Sequence, residues 1–127
     1  MLVVDTDVLV DVMREYQPAL DWLQALPDED VLVPGFVAME LIDGCKNTGE
    51  IRATRKALSN FRVIWPSEST CASALTVLMD CRPKYGLGLI DALVGQMAVD
   101  LNLPLATFNK KHYTCIPRLQ THQPYER

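Results

Sequence analysis

"MLVVDTDVLVDVMRE", residues 1–15, decides how the rest of the chain is read. Leu2, Val3 and Val4 form a continuous apolar run, the pattern of a strand buried on both faces. After Asp5 the period changes: Val8, Leu9, Val12 and Met13 fall on one side of a helix over 6–15. A strand over 2–5 feeding directly into a helix is the first half of a β–α unit. The junction also poses a chemical problem. Asp5 and Asp7 crowd it, with Asp11 one turn further on. Carboxylates are costly to bury unless paired, hydrogen-bonded or bound to a metal.

The alternation continues outward from this unit. "QPALDWLQAL" reads as a helix with Pro18 in its first turn, and "DVLVP" as a short strand stopped by Pro34. "FVAMELIDGCK" is a helix ending near Gly44, and "EIRATRKALSNF" another helix. "RVIWP" is a strand, and "SESTCASALTVLMDC" a helix with Ser67 as its cap. "LIDALVGQMAVDLN" is a helix, "PLATF" a strand, and "LQTH" a short last strand followed by a loose end. Strands alternating with helices predict the α/β class: a single domain over 1–127, with a mostly parallel central sheet flanked by helices on both faces.

Composition narrows the classes. The chain has 127 residues, enough for one domain with a core and too few for two. Hydrophobic residues make up 49% and charged residues 22%, as in a soluble globular protein. The start does not read as a signal peptide, because acids interrupt its apolar region and no cationic stretch precedes it. The longest apolar stretch carries Asp91, Gln96 and Asp100, against a membrane span. The four cysteines, Cys45, Cys71, Cys81 and Cys115, form no CxxC pair and no zinc spacing. They read as buried or half-buried thiols of a cytoplasmic protein. A net charge of −4 excludes nucleic-acid binding through overall charge; local patches and metal ions would have to carry it.

In open parallel sheets, sites form beyond the carboxyl ends of the strands. Asp5 ends the first strand, and Thr107 and Asn109 follow the late strand. Glu40 lies in a helix between apolar neighbours, and Asp91 sits at a helix start in "GLGLIDALVGQ". Each has a plain structural reading: Asp5 as an N-cap, Glu40 as a solvated helix residue, Asp91 as a first-turn charge favoured by the helix dipole. Together, three acids inside apolar runs predict a divalent-metal site, whose hard oxygen ligands select Mg2+ or Mn2+. Two other motifs fit less well. "DTDVLV" is close to the start of haloacid-dehalogenase-like phosphatases, with Asp5 as nucleophile, but Leu9 stands where Thr or Val is expected. "GLGLID" is close to GxGxxG, but Asp91 replaces the third Gly and no strand clearly precedes it.

"VVDTDVLVDV", "FVAMELIDGC" and "LIDALVGQMAVDLNLPLATFNKKHY", in that order, resemble the PIN-domain ribonucleases, in particular the VapC-type toxins of toxin–antitoxin pairs. The resemblance covers essentially the whole chain. It implies a compact parallel sheet and an acidic pocket that binds Mg2+ or Mn2+ and cuts single-stranded RNA. By motif, the family's first Asp falls on Asp5, its helix Glu on Glu40 and its central Asp on Asp91. Thr107 and Asn109 match its Thr-x-Asn signature. Two positions depart: Asp7, where many members have Ser, Thr or Asn, and His112, where many have an acid.

Roles follow from that alignment. Asp5 and Asp91 are expected to bind metal directly, with Glu40 completing the shell or orienting the attacking water. Thr107 and Asn109 are expected to hold carboxylates or a phosphate. His112 would donate to a phosphate, protonate the leaving oxygen or pack at the rim. Asp7 is peripheral, its side chain turned away from Asp5, and Asp11 is a solvated helix residue. Arg52, Arg55 and Lys56, near Lys46 and Arg62, are candidate RNA contacts, as are Lys110 and Lys111 beside the pocket. The family further implies a cognate antitoxin whose tail covers the pocket, and a homodimer. Trp22 and Leu23 are a candidate contact for either, or part of the core. A module with this fold and no catalysis is the remaining alternative.

Overall fold

A computed structural model describes residues 1–27 and 31–127. The elements alternate as expected: β1 (Leu2–Val4), α1 (Thr6–Met13), α2 (Gln17–Gln24), β2 (Val31–Pro34), α3 (Gly35–Asp43), α4 (Thr48–Leu58), β3 (Arg62–Ile64), α5 (Glu68–Tyr85), α6 (Leu89–Leu101), β4 (Leu105–Ala106), α7 (Lys110–Tyr113) and β5 (Thr121–His122). Asp30, the first residue of the predicted "DVLVP" strand, lies outside the described residues.

The five strands form one sheet in the order β3-β2-β1-β4-β5, and every pairing is parallel. Successive strand residues face opposite sides of a sheet. All of β1 and β2 is buried, so both faces of the central strands are covered. Val3, Val4, Val33 and Leu105 of these strands are fully buried, as is Val94 of α6. The edge strands are more open, as edges of a short sheet are.

Local chemistry sets the helix ends. Ser67 caps α5 by accepting from the Thr70 amide at 3.1 Å, as its position predicted. The helix runs past the expected end at Cys81, through Pro83, and stops at Gly86 in the left-handed region (φ 67). Asn47 caps α4 through the Glu50 amide at 2.9 Å. "GLGLID" follows helix α5 and not a strand, so no dinucleotide-type loop exists there. Among the described residues no helix is long and apolar enough to cross a membrane.

The end of the chain is tied down, not loose. Tyr125 donates to Asp11 Oδ2 at 2.7 Å, and Arg127 pairs with the same carboxylate at 3.0 and 3.3 Å. The Tyr125 ring packs against Tyr16, Trp22 and Phe108, and the Arg127 guanidinium lies 4.2 Å from the centre of the Phe108 ring. Asp11 is therefore buried beneath this strap, against the expectation of a solvated helix residue. Trp22 and Leu23 pack on the core, so their apolar face is filled from within.

Candidate active site

Strand order reverses between β1 and β4. From β1 the sheet extends through β2 on one side and through β4 on the other. The crevice beyond the carboxyl ends of such a pair is where open α/β sheets place their sites. Register aligns Val3 with Leu105 and Val4 with Ala106, and the Asp5 amide continues the ladder to the Ala106 carbonyl at 3.0 Å. Asp5 and Thr107 thus leave the sheet together.

Asp5 is only 4% exposed. Its Oδ1 accepts from the Thr6 amide at 2.8 Å, capping α1. Its Oδ2 accepts from the Thr107 hydroxyl at 2.8 Å and from the Tyr113 hydroxyl at 2.9 Å. Burial first, and the Asp7 charge second, push its pKa up to about 6, against these three hydrogen bonds. Both Asp5 oxygens are thus engaged by donors from three segments of the chain, which holds the carboxylate in one orientation.

Asp91 lies in the first turn of α6, where the helix dipole favours an acid. Its Oδ1 accepts from the Tyr113 hydroxyl at 3.2 Å. Tyr113 is 1% exposed. Burial, then the charges of Asp5 and Asp91, push its phenol above the usual range, so it remains a proton donor. Its ring lies close to Gly95 of α6. A Cβ there would stand 3.4 Å from Tyr113 Cδ1 and 2.4 Å from Ile116 Cδ1. Gly95 lies one helical turn after Asp91, on the same face of α6.

Asp7 is turned toward Asp5, not away from it. Its Oδ2 accepts from the Phe108 amide at 2.9 Å and lies 3.4 Å from the Thr107 hydroxyl. Burial raises its pKa, opposed chiefly by the Phe108 and Val8 amides. Its Oδ1 is buried with no hydrogen-bond partner among the described residues. Asn109 contributes through its backbone: its amide donates to the Thr107 hydroxyl oxygen at 3.0 Å. Glu40 is exposed on α3, and its Oε1 takes a short hydrogen bond from the Thr6 hydroxyl. The apolar residues around it are not all core. Met39 is 54% exposed, and with Phe36, Trp65 and Ile90 it lines a groove of about 650 Å3 beside Glu40.

His112, Lys110 and Lys111 are exposed on α7 at the edge of this centre. Arg52, Arg55 and Lys56 are exposed on α4. A second groove, about 540 Å3, runs from Thr6 and Glu40 along Ala53, Thr54 and Ala57 of that helix. Arg52, Arg55 and Lys56 of that helix do not line it. Two participants escaped the sequence reading. Tyr113 and Thr6 carry no charge, and each acts only by holding acids from other elements.

The donor set bears on a metal. Among the described residues, no three His, Cys, Asp or Glu side chains gather into a set that could hold an ion by themselves. Two carboxylates, Asp5 and Asp91, do meet at one hydroxyl. Mg2+ is commonly held by one or two carboxylates, with waters and substrate phosphates completing its shell. Asp5 is moreover a buried acid whose neighbours are hydroxyls, an amide and another carboxylate. A divalent cation fits that combination.

The PIN domain family model matches residues 2–115. Over 121 residues the chain is 30% identical to Ribonuclease VapC10 of Mycobacterium tuberculosis, spanning 94% of this chain and 91% of that protein. Its fold superposes on a toxin–antitoxin complex from Klebsiella pneumoniae with a TM-score of 0.79, at 29% identity, covering 100% of both chains. VapBC-1 from nontypeable Haemophilus influenzae gives a TM-score of 0.75 at 26% identity, over 95% of this chain and 96% of that one.

Proposed function

The chain belongs to the PIN domain family, and from that premise we propose that it is a metal-dependent endoribonuclease, the toxin of a toxin–antitoxin pair. The observation that carries the chemistry is the meeting of Asp5 and Asp91 at the crevice between β1 and β4. Asp5 and Asp91 would hold Mg2+ or Mn2+, with Glu40 at the margin. When bound there, such an ion offsets phosphodiester charge and lowers the pKa of a coordinated water.

The chain's own residues do the rest. Thr107, fixed by the Asn109 amide, orients Asp5. Thr6 holds one Glu40 oxygen, and the other serves as proton acceptor for the attacking water. Arg52, Arg55, Lys56, Lys110 and Lys111 contact RNA phosphates around the acidic centre. The partner is an antitoxin protein, a reading supported by structural relatives whose solved forms are toxin–antitoxin complexes. The toxin itself pairs as a homodimer, and its four free cysteines suit a reducing cytoplasm.

The test is cleavage of single-stranded RNA by the purified chain, with Mg2+ or Mn2+ and with EDTA. Cleavage that appears with the ion and stops with the chelator supports the reading. An intact fold with no cleavage under any metal condition selects the inactive module.

A further inference from the structure

One hydroxyl serves two carboxylates. Tyr113 donates toward Asp5 Oδ2 at 2.9 Å and toward Asp91 Oδ1 at 3.2 Å. A phenol carries a single proton, so it bonds one acid fully or shares itself between the two. The acids come from separate elements, the end of β1 and the first turn of α6. The ring that joins them has little room to drift. It is buried, lies close to Gly95, and belongs to α7, whose N-cap, Asn109, is three residues past the end of β4.

We infer that the Tyr113 hydroxyl is a positioning group: it fixes the spacing of the Asp5 and Asp91 carboxylates and so sets the affinity of this chain for a divalent cation. The inference rests on the metal-dependent reading above. Two like charges near one point repel, and Asp91 is only half-buried. Without the shared donor, Asp91 is free to turn to solvent, and the spacing must be rebuilt whenever an ion binds. Groups that orient ligands in this way are typically worth about 10- to 100-fold in metal affinity. A ring that merely fills the core contributes nothing through its oxygen, so the hydroxyl is the part to remove.

The decisive comparison is Mn2+ binding by calorimetry to the parent and to Tyr113→Phe, which keeps the ring. The expected result is binding weakened by about tenfold or more in the variant. RNA cleavage by the variant should recover as Mn2+ is raised, a shift in metal requirement and not in kcat. Identical isotherms overturn the inference while leaving the metal reading in place. Absence of Mn2+ binding by the parent overturns both. A second measurement uses the unaltered chain with its tyrosine Cζ carbons labelled. Titration with Mg2+ should move the Tyr113 resonance with the midpoint that calorimetry of the same chain gives for Mg2+, and a resonance that stays fixed through saturation overturns the proposal even if Tyr113→Phe fails to fold.

Discussion

The Thr107 hydroxyl donates to Asp5 Oδ2 across 2.8 Å, between residues 102 apart in sequence. Strand register produces this contact. Because Val4 pairs with Ala106, the residues that follow each strand emerge side by side at the carboxyl edge of the sheet. The Asn109 amide then holds the Thr107 oxygen at 3.0 Å, which fixes the direction of its proton. The buried acid is therefore oriented from the neighbouring strand, while its own helix holds only the other oxygen, through the Thr6 amide at 2.8 Å.

Asp5→Asn and Asp91→Asn should each reduce metal-dependent RNA cleavage by about a thousandfold or more, since a Lewis-acid contribution of several kcal/mol is removed. The fold should survive. Asp5 is held above its ordinary pKa by burial and by Asp7, so a neutral amide relieves an unfavourable charge. Melting in EDTA checks this: the Asp5→Asn variant should unfold no lower than the parent. Near-normal turnover by both variants at low Mg2+ would remove them from the site.

The basic helix makes a separate prediction. Arg52, Arg55 and Lys56 are exposed on α4, which borders the groove leading to Glu40 and Thr6. Changing all three to Gln should weaken RNA binding and flatten its salt dependence, by about 0.7 in log–log slope for each phosphate no longer neutralised. Mn2+ affinity should hold steady. An unchanged salt slope for the triple variant would place the RNA elsewhere.

The strap over α1 predicts an acid response. Burial raises the pKa of Asp11, but the hydrogen bonds from Arg127 and Tyr125 and the Arg127 charge outweigh it, and the net direction is down. A carboxyl held below its ordinary value of 3.8 adds stability above that value and loses it as pH falls through the folded value. The parent should therefore lose stability below about pH 4 more steeply than Asp11→Asn. At neutral pH, Arg127→Ala should cost about 1 kcal/mol, because its guanidinium remains half in water. Urea unfolding from neutral to acid pH measures both. Parallel curves for parent and Asp11→Asn would mean the strap contributes nothing through charge.

What could be read in advance follows the range of each interaction. The change of period at Asp5 is local, and it foretold β1, α1 and the parallel sheet they begin. Acids inside apolar runs are also local, which is why Asp5 and Asp91 stood out. Asp11 looked solvated because the partners that bury it, Tyr125 and Arg127, are 114 and 116 residues away. Tyr113 was hidden differently. It ends a four-residue helix after Lys110, Lys111 and His112, too short a segment to show a period. Its meaning comes from two acids, Asp5 and Asp91, that lie 108 and 22 residues away in sequence. Asp7 points inward for a similar reason, since the Phe108 amide that holds it belongs to the strand end across the crevice.

Gly95 supplies the last prediction. In a helix interior, Gly→Ala ordinarily adds about 1 kcal/mol of stability. Here the new Cβ would stand 2.4 Å from Ile116 Cδ1, inside contact distance, and 3.4 Å from the Tyr113 ring. Ile116 is buried, so its terminal carbon has little room to swing aside. Overpacking of this kind costs about 1–3 kcal/mol, which offsets or exceeds the propensity gain. Gly95→Ala should therefore be destabilising by about 1 kcal/mol. Ile116→Val removes the clashing carbon and should by itself cost about 1 kcal/mol as a small cavity. The double variant should lie closer to the parent than the sum of the two, because the added methyl occupies the space that the removed one vacated. Denaturant unfolding of the four proteins closes the cycle. Simple additivity would show that α6 and the segment after α7 yield to each other freely, and that Ile116 does not limit what residue 95 can be.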